Sequence, residues 1–248
     1  MIKLKLIDRP VELTDEVCQQ LTDKYKADNS SVWNKAYIKD ALLQMTHHKC
    51  AYSEAPLNKN GTYMEVEHFR CKEKYPDKVV EWGNLLPACK TCNTTKGEWD
   101  VEKDGDIVNP LVDNPQDYLF VKAFRYYAKN DNNKGEVTIT VLNLNNTDQF
   151  TKPRSEIYFR IIDTLRDNVE KLCSDDTPRK QKNTLNRIKQ CLKEAFPQYP
   201  YSAVLATSIL ESEEYNKIKD LVNSKDLWDD EFDEIERTLN SIALYKNR

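Results

Sequence analysis

Apolar side chains along residues 31–46 recur at the spacing of one helix face. The residues at this spacing are Trp33, Tyr37, Ala41 and Met45, with Leu42 beside them. An interval of four places side chains above one another on an α-helix, so the stretch predicts an amphipathic helix. Another helix is predicted for residues 11–27, because Thr14 is a favoured N-cap residue followed by two carboxylates.

Alternating apolar and polar residues predict short strands elsewhere. Residues 1–8 alternate like an edge strand, and residues 120–127 and 136–142 read as two strands joined by a polar turn. Residues 50–97 hold Gly, Pro and Asn among short strand-like pieces, which predicts a hairpin followed by a short helix. After Thr151 the pattern is helical. The predicted helices are 154–173, 178–195, 201–222 and 228–245.

Composition places the chain among soluble proteins. It has 248 residues, 31% of them charged, and a mean hydropathy of −0.76. No run approaches the roughly 18–20 apolar residues of a membrane span, and the N-terminal apolar core is too short for a signal peptide. Seven cysteines make an odd number, and nothing else indicates secretion. We therefore expect a cytoplasmic protein whose Cys89-x-x-Cys92 pair binds metal rather than forming disulfides.

The charge is unevenly distributed along the chain. The net charge is −4, whereas duplex binding relies on phosphate neutralisation by Lys and Arg. Residues 152–193 hold eleven Lys/Arg against six Asp/Glu, and residues 211–237 hold eleven Asp/Glu against four Lys/Arg. The first stretch can contact phosphate, and the second suits a basic protein partner. Both are equally compatible with ordinary solvated helix faces.

Three short stretches carry the chemistry. They are Glu67-His68, the isolated Asn84, and Cys89-x-x-Cys92-Asn93-x-x-Lys96. In this order and spacing they resemble the HNH endonuclease motif in its His-Asn-Asn form, over residues 50–97. The resemblance implies an α+β fold with a ββα-metal, zinc-knuckle nuclease module. We divide the chain into a nuclease domain at 1–103, a short β connector at 104–150 and a mostly helical C-terminal domain at 151–248.

Phosphodiester hydrolysis needs a base and a cation. His68 is the candidate base, since an imidazole is largely neutral at cellular pH. Glu67 and Asn93 are the candidate catalytic metal ligands, because both offer oxygen to a hard cation such as Mg²⁺ or Mn²⁺. Glu65 is the competing ligand, two residues back on the same face. Neighbouring strand residues point to opposite faces, so Glu67 and His68 share a site only if the hairpin is twisted or lies over the helix.

The resemblance also assigns supporting roles. Asn84 matches the central Asn of the motif, whose expected role is to fix the hairpin loop and so orient the histidine; a plain turn residue is the alternative. Lys96 lies one helical turn after Asn93 and is a candidate phosphate contact, as is Arg70. A solvated lysine is an equal alternative for Lys96.

The structural metal site departs from the family pattern. Relatives commonly hold one zinc with two Cys-x-x-Cys pairs, whereas here the first pair reads Cys50-Ala-Tyr-Ser53. Serine is a poor zinc ligand compared with thiolate. Three alternatives remain: zinc on Cys50, Cys89 and Cys92 with a fourth ligand, a weakened site, or an empty one. The candidate fourth ligands are His47, His48, Cys71 and water.

A wider pattern resembles the PtuB-type HNH nucleases of Septu anti-phage systems, including versions coupled to retrons. It comprises HHKCAY at 47–52, VEHFR at 66–70, WGNLLPACKTCN at 82–93, VNP at 108–110, TITVLNLN at 138–145 and Arg154. The resemblance implies a PtuA-like ATPase partner. In retron forms it also implies a reverse transcriptase and its RNA–DNA product.

The leading hypothesis is therefore a metal-dependent endonuclease that acts on DNA, with RNA or tRNA as a further option. The first rival is a non-catalytic zinc-binding adaptor that docks nucleic acid or the ATPase. The second is a toxin-like helical interaction protein, which leaves the clustering of Glu67, His68 and Asn93 unexplained.

Overall fold

The computed structural model describes residues 1–58, 63–174 and 177–247. The chain forms two compact units. Unit 1 consists of Met1–Leu119 and Tyr127–Asn145, and unit 2 consists of Phe120–Tyr126 and the chain from Asn146 onward. Within the described residues, no helix is both long enough and apolar enough to cross a lipid bilayer.

Helices and two small sheets make up the fold, in the mixture predicted from the sequence. In chain order the elements are α1 Asp15–Asp28, α2 Ala36–Met45, β1 Met64–His68, β2 Leu85–Cys89, α3 Lys90–Lys96, β3 Leu119–Lys122, β4 Arg125–Ala128, α4 Asn133–Val141, α5 Lys152–Ser174, α6 Pro178–Lys193, α7 Ser202–Leu210, α8 Glu213–Ser224 and α9 Asp230–Ile242.

The centre of unit 1 is the antiparallel pair of β1 and β2. Met64 lies opposite Cys89 and His68 lies opposite Leu85. β2 is buried along its whole length, and α3 follows it without a loop. The hairpin and short helix predicted within residues 50–97 are therefore present, although residues 59–62 lie outside the described part.

The predicted cap of the first helix is confirmed. The Thr14 hydroxyl accepts a hydrogen bond from the Val17 amide at 3.2 Å, and Asp15 and Glu16 occupy the first turn. This satisfies one of the free amides of the helix N-terminus and places negative charge at the positive end of the helix dipole.

Two strand predictions are wrong. Residues 136–142 lie in α4, which the Asn132 side chain caps by accepting from the Gly135 amide at 3.2 Å. Its buried residues, Gly135, Thr138 and Val141, recur every three residues, so tertiary packing overrides the β-branched alternation. The first ten residues form no strand, because they lack a neighbouring strand; Leu4 donates to the Pro110 carbonyl in a loop. The predicted β connector at 104–150 thus contains the short β3–β4 hairpin followed by helix α4.

The C-terminal helices follow the sequence pattern with one exception. The helix predicted at 201–222 is two helices, α7 and α8. Ser212 separates them, since its hydroxyl accepts from the Tyr215 amide at 3.1 Å and starts α8.

An arginine lies in the core of unit 2. Arg154 of α5 is fully buried, and its guanidinium lies over the rings of Tyr126, Phe150 and Tyr201 at 4.8, 5.5 and 5.6 Å. It also donates to the Phe124 carbonyl at 3.2 Å. A planar cation stacked on several rings is stabilised electrostatically once water is excluded.

Arg154→Lys is expected to lower the free energy of unfolding by about 2 kcal/mol, because a lysine ammonium cannot stack flat on three rings. Urea unfolding of the full chain measures this change. Arg160→Lys in the same helix is the matched control; that exposed position should change stability by no more than about 0.5 kcal/mol. Equal stability of the two variants would contradict the structural role of the stack.

Candidate functional site

Two carboxylates of β1 point towards α3. Glu65 and Glu67 are two residues apart on the strand, so their side chains lie on the same face. Asn93 and Lys96 lie one turn apart on α3 and meet them. The antiparallel register and the direct passage from β2 into α3 bring these four residues together from separate parts of the sequence.

Asn93 contacts Glu65 rather than Glu67. The Asn93 Nδ2 donates to the Glu65 Oε2 at 2.7 Å. Because Nδ2 is used in this bond, the Asn93 Oδ1 is the atom left to accept a donor or bind a cation. The sequence pattern instead predicts Glu67 and Asn93 as the two catalytic metal ligands, with Glu65 as the competing one.

Glu67 is paired with a buried lysine. The Lys96 Nζ lies 2.6 Å from the Glu67 Oε1 and donates to the His68 main-chain carbonyl at 2.8 Å. Burial raises the pKa of Glu67 to about 7, although the nearby Lys96 opposes this shift. The Lys96 side chain is fully buried. Lys96 therefore stabilises the interior of the site and does not extend into solvent as a phosphate contact would.

His68 is held in one tautomer. Its Nε2 lies 2.9 Å from the Val79 carbonyl, which can only accept, so Nε2 carries the proton and the Nδ1 keeps its lone pair. The ring packs edge to face against Trp33, with centroids 4.8 Å apart. Burial lowers the pKa of His68 to about 4, and the charges of Lys72 and Lys96 add to this effect. The imidazole is therefore neutral at physiological pH.

Asn84 fixes the loop that follows β1. Its Oδ1 accepts from the Arg70 amide at 2.7 Å, and its Nδ2 donates to the carbonyls of Arg70 and Lys78 at 3.1 and 3.0 Å. Its own carbonyl accepts from the Phe69 amide, the residue directly after His68. All polar atoms of this buried amide are thus used to hold the backbone beside the histidine.

Arg70, the other candidate phosphate contact, is half-exposed. Its Nε donates to the Glu102 carboxylate at 2.6 Å. This ion pair holds the guanidinium against Glu102, and Arg70 is not among the residues that line the pocket.

Four of the candidate residues line one pocket. A cavity of about 500 Å³ is lined by Glu65, Glu67, His68 and Asn93. Trp33 and Lys39, from the segment around the start of α2, line the same cavity. Lys39 has no acidic partner within ion-pairing distance among the residues that the structure describes.

Sequence reasoning missed the pocket roles of Trp33 and Lys39. Trp33 had been assigned to the face of a helix, but α2 begins three residues later, at Ala36. Nothing in the local pattern indicates that residues 31–39 face the motif, because the contact depends on packing between segments about thirty residues apart.

Three cysteines form a second, buried cluster. The Sγ atoms of Cys50, Cys89 and Cys92 lie within 4.8 Å of one another. Tetrahedral zinc at about 2.3 Å from each sulfur needs sulfurs about 3.8 Å apart, so this cluster can bind a metal such as zinc. Burial raises the pKa of Cys92, and the neighbouring Cys50 thiol raises the pKa of Cys89 to about 12. A bound cation would instead stabilise the thiolates.

The fourth position of this cluster lies nearest Ser53. Its Oγ is 3.7 Å from the Cys89 Sγ. Among the described residues, no histidine, carboxylate or further cysteine brings a ligand atom into the cluster, so His47, His48 and Cys71 lie outside it. Cys71 lines the pocket beside His68. A fourth zinc ligand would therefore be the Ser53 hydroxyl or a water.

The geometry defines an α+β protein with a buried cysteine cluster that can bind a metal. No protein-family model matches the chain. The chain is 39% identical over 236 residues to the Septu protein PtuB of Bacillus thuringiensis, and the alignment covers 93% of this chain and 90% of that relative. The chain therefore belongs to the PtuB family of Septu proteins, and the resemblance read from the sequence motifs is confirmed to that extent.

Proposed function

We propose that this chain is a metal-dependent HNH endonuclease that hydrolyses phosphodiester bonds, with DNA as the favoured substrate. The observation that carries the proposal is one pocket lined by His68, Asn93 and the carboxylates of β1. A neutral imidazole can act as a general base, and the nearby amide and carboxylate oxygens can bind a divalent cation, which together are what phosphodiester hydrolysis needs.

The oxygen atoms of this pocket suit a hard divalent cation. The Asn93 Oδ1 is left available by the hydrogen bond of its Nδ2, and the Glu65 carboxylate lies against the same amide. Oxygen ligands of this kind suit Mg²⁺ or Mn²⁺. A cation bound here would polarise the scissile phosphate and stabilise the 3′-oxygen leaving group.

Glu65 is our first choice as the carboxylate ligand, in place of Glu67. The ammonium of Lys96 lies against Glu67 and would repel a second cation there. Glu65, by contrast, would give up only its hydrogen bond from Asn93 in order to bind a metal. Glu67 then supplies negative charge that holds Lys96, and through Lys96 the backbone of His68.

His68 acts as the general base in this proposal. Its Nδ1 lone pair takes a proton from the attacking water, while the Val79 carbonyl holds the ring orientation through Nε2. Asn84 positions His68 by fixing the backbone of the next two residues. Hydrolysis of this kind leaves 5′-phosphate and 3′-hydroxyl ends.

Lys39 takes the phosphate contact in place of Lys96 and Arg70. Lys96 is buried against Glu67, and Arg70 is paired with Glu102. Lys39 lines the same pocket as Asn93, and no carboxylate in the described part of the chain lies within ion-pairing distance of it. A cation at this position can hold a non-bridging oxygen of the substrate.

Lys39→Gln is expected to raise KM about tenfold with little change in kcat, because a charged hydrogen bond to phosphate is lost. Steady-state cleavage of a labelled oligonucleotide measures both constants. Lys35→Gln is the matched control, since Lys35 is an exposed lysine directly before the same helix and does not line the pocket. Indistinguishable KM values for the two variants would argue against the contact.

The family assignment extends the proposal to anti-phage defence. Membership of the PtuB family supports an effector role in a Septu system together with a PtuA-like ATPase. A net charge of −4 is consistent with an enzyme whose partner contributes to the grip on nucleic acid. A retron reverse transcriptase and its RNA–DNA product are further partners that the sequence resemblance suggests.

A cleavage assay tests the proposed activity. The chain, alone and with its ATPase partner, is incubated with supercoiled plasmid and with tRNA, with Mg²⁺, with Mn²⁺ or with neither. We expect nicking or linearisation of the plasmid only when a divalent cation is present. Cation-dependent cutting of tRNA without cutting of the plasmid would identify RNA as the substrate. No cutting of either by the active complex would refute the nuclease assignment.

The cysteine cluster supports one alternative, a zinc-binding adaptor that docks nucleic acid or the ATPase without cleaving anything. The cluster is complete apart from a weak fourth ligand, and it does not depend on the pocket. The adaptor predicts one zinc per chain and no binding of Mn²⁺ at Asn93. The nuclease predicts both metals.

A further inference from the structure

Helix α6 carries only positive formal charge. Between Pro178 and Lys193 it contains six Lys or Arg residues and no Asp or Glu, in a chain with more acidic than basic residues. The helix is 16 residues long and amphipathic, with Ile188 and Leu192 among its buried residues. Most of the Lys and Arg side chains of α6 therefore lie on the sides of the helix that face away from its buried residues.

Two of the six cations, Lys189 and Lys193, pair with carboxylates at the start of α9. The Lys189 Nζ lies 2.9 Å from Glu231 and is also paired with Asp229. The Lys193 Nζ lies 2.7 Å from Glu231. The acidic start of α9 thus covers one side of α6 and leaves the other side positively charged.

The remaining side is what we call the α6 face. It consists of seven exposed residues: Arg179, Lys180, Lys182, Asn183, Asn186, Arg187 and Gln190. Four are cations and three are amides, with neither a carboxylate nor an aromatic ring among them. Within the described residues, no carboxylate lies within ion-pairing distance of Arg179, Lys182 or Arg187. Asp175 and Asp176 precede the helix in sequence and lie outside the described residues.

A groove extends the face onto α5. It has a volume of about 590 Å³ and is lined by Asn186, Arg187 and Gln190 from α6 and by Lys171 from α5. Asp167 and Glu194 also line it, but Glu194 is neutralised by Arg160. The groove therefore adds one cation, Lys171, and one carboxylate, Asp167, beside the amides.

This combination of residues fits duplex DNA. Lys and Arg bind phosphates, and Asn, Gln and Arg are the side chains that read base edges in the major groove. Residues 179–190 span about 16 Å of rigid helix, and the B-form major groove, about 12 Å wide, admits a helix. A-form RNA has a major groove too narrow for a helix. Single strands are usually held by several stacked aromatic rings, whereas the α6 face has none and the groove beside it contributes one, Tyr199.

We propose that the α6 face is a docking surface for double-stranded DNA. It belongs to unit 2, whereas the candidate active site belongs to unit 1, so it goes beyond the proposed catalytic function. Binding here is separate from cleavage and does not require the pocket metal.

Fluorescence anisotropy of a labelled 30-base-pair duplex tests the proposal. The full chain is titrated without added divalent cation, at several salt concentrations. The double variant Lys182→Gln/Arg187→Gln should bind about tenfold more weakly at low salt, and its slope of log K against log salt should be shallower by about 1.8. The control Lys24→Gln/Lys225→Gln removes the same charge from exposed positions elsewhere and should match the wild type.

The other outcomes overturn the proposal. Equal affinities of the two double variants would show that general charge, and not the α6 face, attracts DNA. Tighter binding of a single strand or an RNA duplex, with the same loss in the α6 variant, would assign the face to that ligand instead. Failure of the wild type to bind duplex DNA would reject the proposal that the α6 face is a docking surface. Because no cleavage is measured, these results are independent of the nuclease assignment.

Discussion

His68→Ala is expected to lower the rate of phosphodiester cleavage by about 10²- to 10⁴-fold, the contribution of a positioned general base. The Nδ1 that would take the proton from water is removed, while the carboxylates and Asn93 remain in place. Single-turnover cleavage of a labelled duplex, with saturating Mn²⁺, measures the chemical step directly.

Two further variants separate chemistry from folding. His68→Gln retains a donor for the Val79 carbonyl but cannot act as a base, so it should be as inactive as the alanine variant. His47→Asn replaces an exposed histidine at a positive φ of 52°, which asparagine tolerates, and should cleave like the wild type. Cleavage at the wild-type rate by a folded His68→Gln variant would reject His68 as the base.

Cys92→Ala is expected to remove zinc and to lower the free energy of unfolding by at least about 3 kcal/mol, since zinc contributes about 10–16 kcal/mol in small fingers. Cys92 is fully buried in the first turn of α3 and directly precedes Asn93. Loss of the metal should therefore loosen both the cluster and the helix that carries Asn93. Zinc content by mass spectrometry and thermal unfolding measure the two effects.

The cluster offers matched controls for this prediction. Cys173→Ala removes an exposed cysteine and should leave zinc content and stability unchanged. Ser53→Cys adds a fourth thiolate beside Cys89 and should slow the loss of zinc to a chelator. Wild-type protein free of zinc, or full zinc content in Cys92→Ala, would contradict a zinc site at these cysteines.

Local patterns in the sequence predicted much of the fold. The Thr14 cap, the hairpin followed by a short helix and the helices α5, α6 and α9 are each encoded by neighbouring residues. The strand prediction for residues 136–142 was wrong. Their alternation matches a strand, but Thr138 is buried in a helix, where its hydroxyl accepts a hydrogen bond from the Val108 amide. Propensity is a weak guide where tertiary contacts decide.

The candidate site was predictable in its residue types but not in its pairings. The motif placed Glu67, His68, Asn84 and Asn93 in order, and the structure brings them around one pocket or its supporting loop. The partner of each side chain depends on strand twist and helix placement. For this reason the contacts of Asn93 with Glu65 and of Lys96 with Glu67 could not be read from spacing.

Anomalous diffraction from crystals soaked in Mn²⁺ tests the central claim most directly. The account predicts one strong manganese peak about 2.2 Å from the Asn93 Oδ1 and within reach of the Glu65 carboxylate, a distance typical of hard divalent cations. The peak should disappear in Asn93→Ala and persist in His68→Ala. Manganese bound elsewhere, or absent from the pocket at saturating concentration, would contradict a cation held between β1 and α3 beside His68.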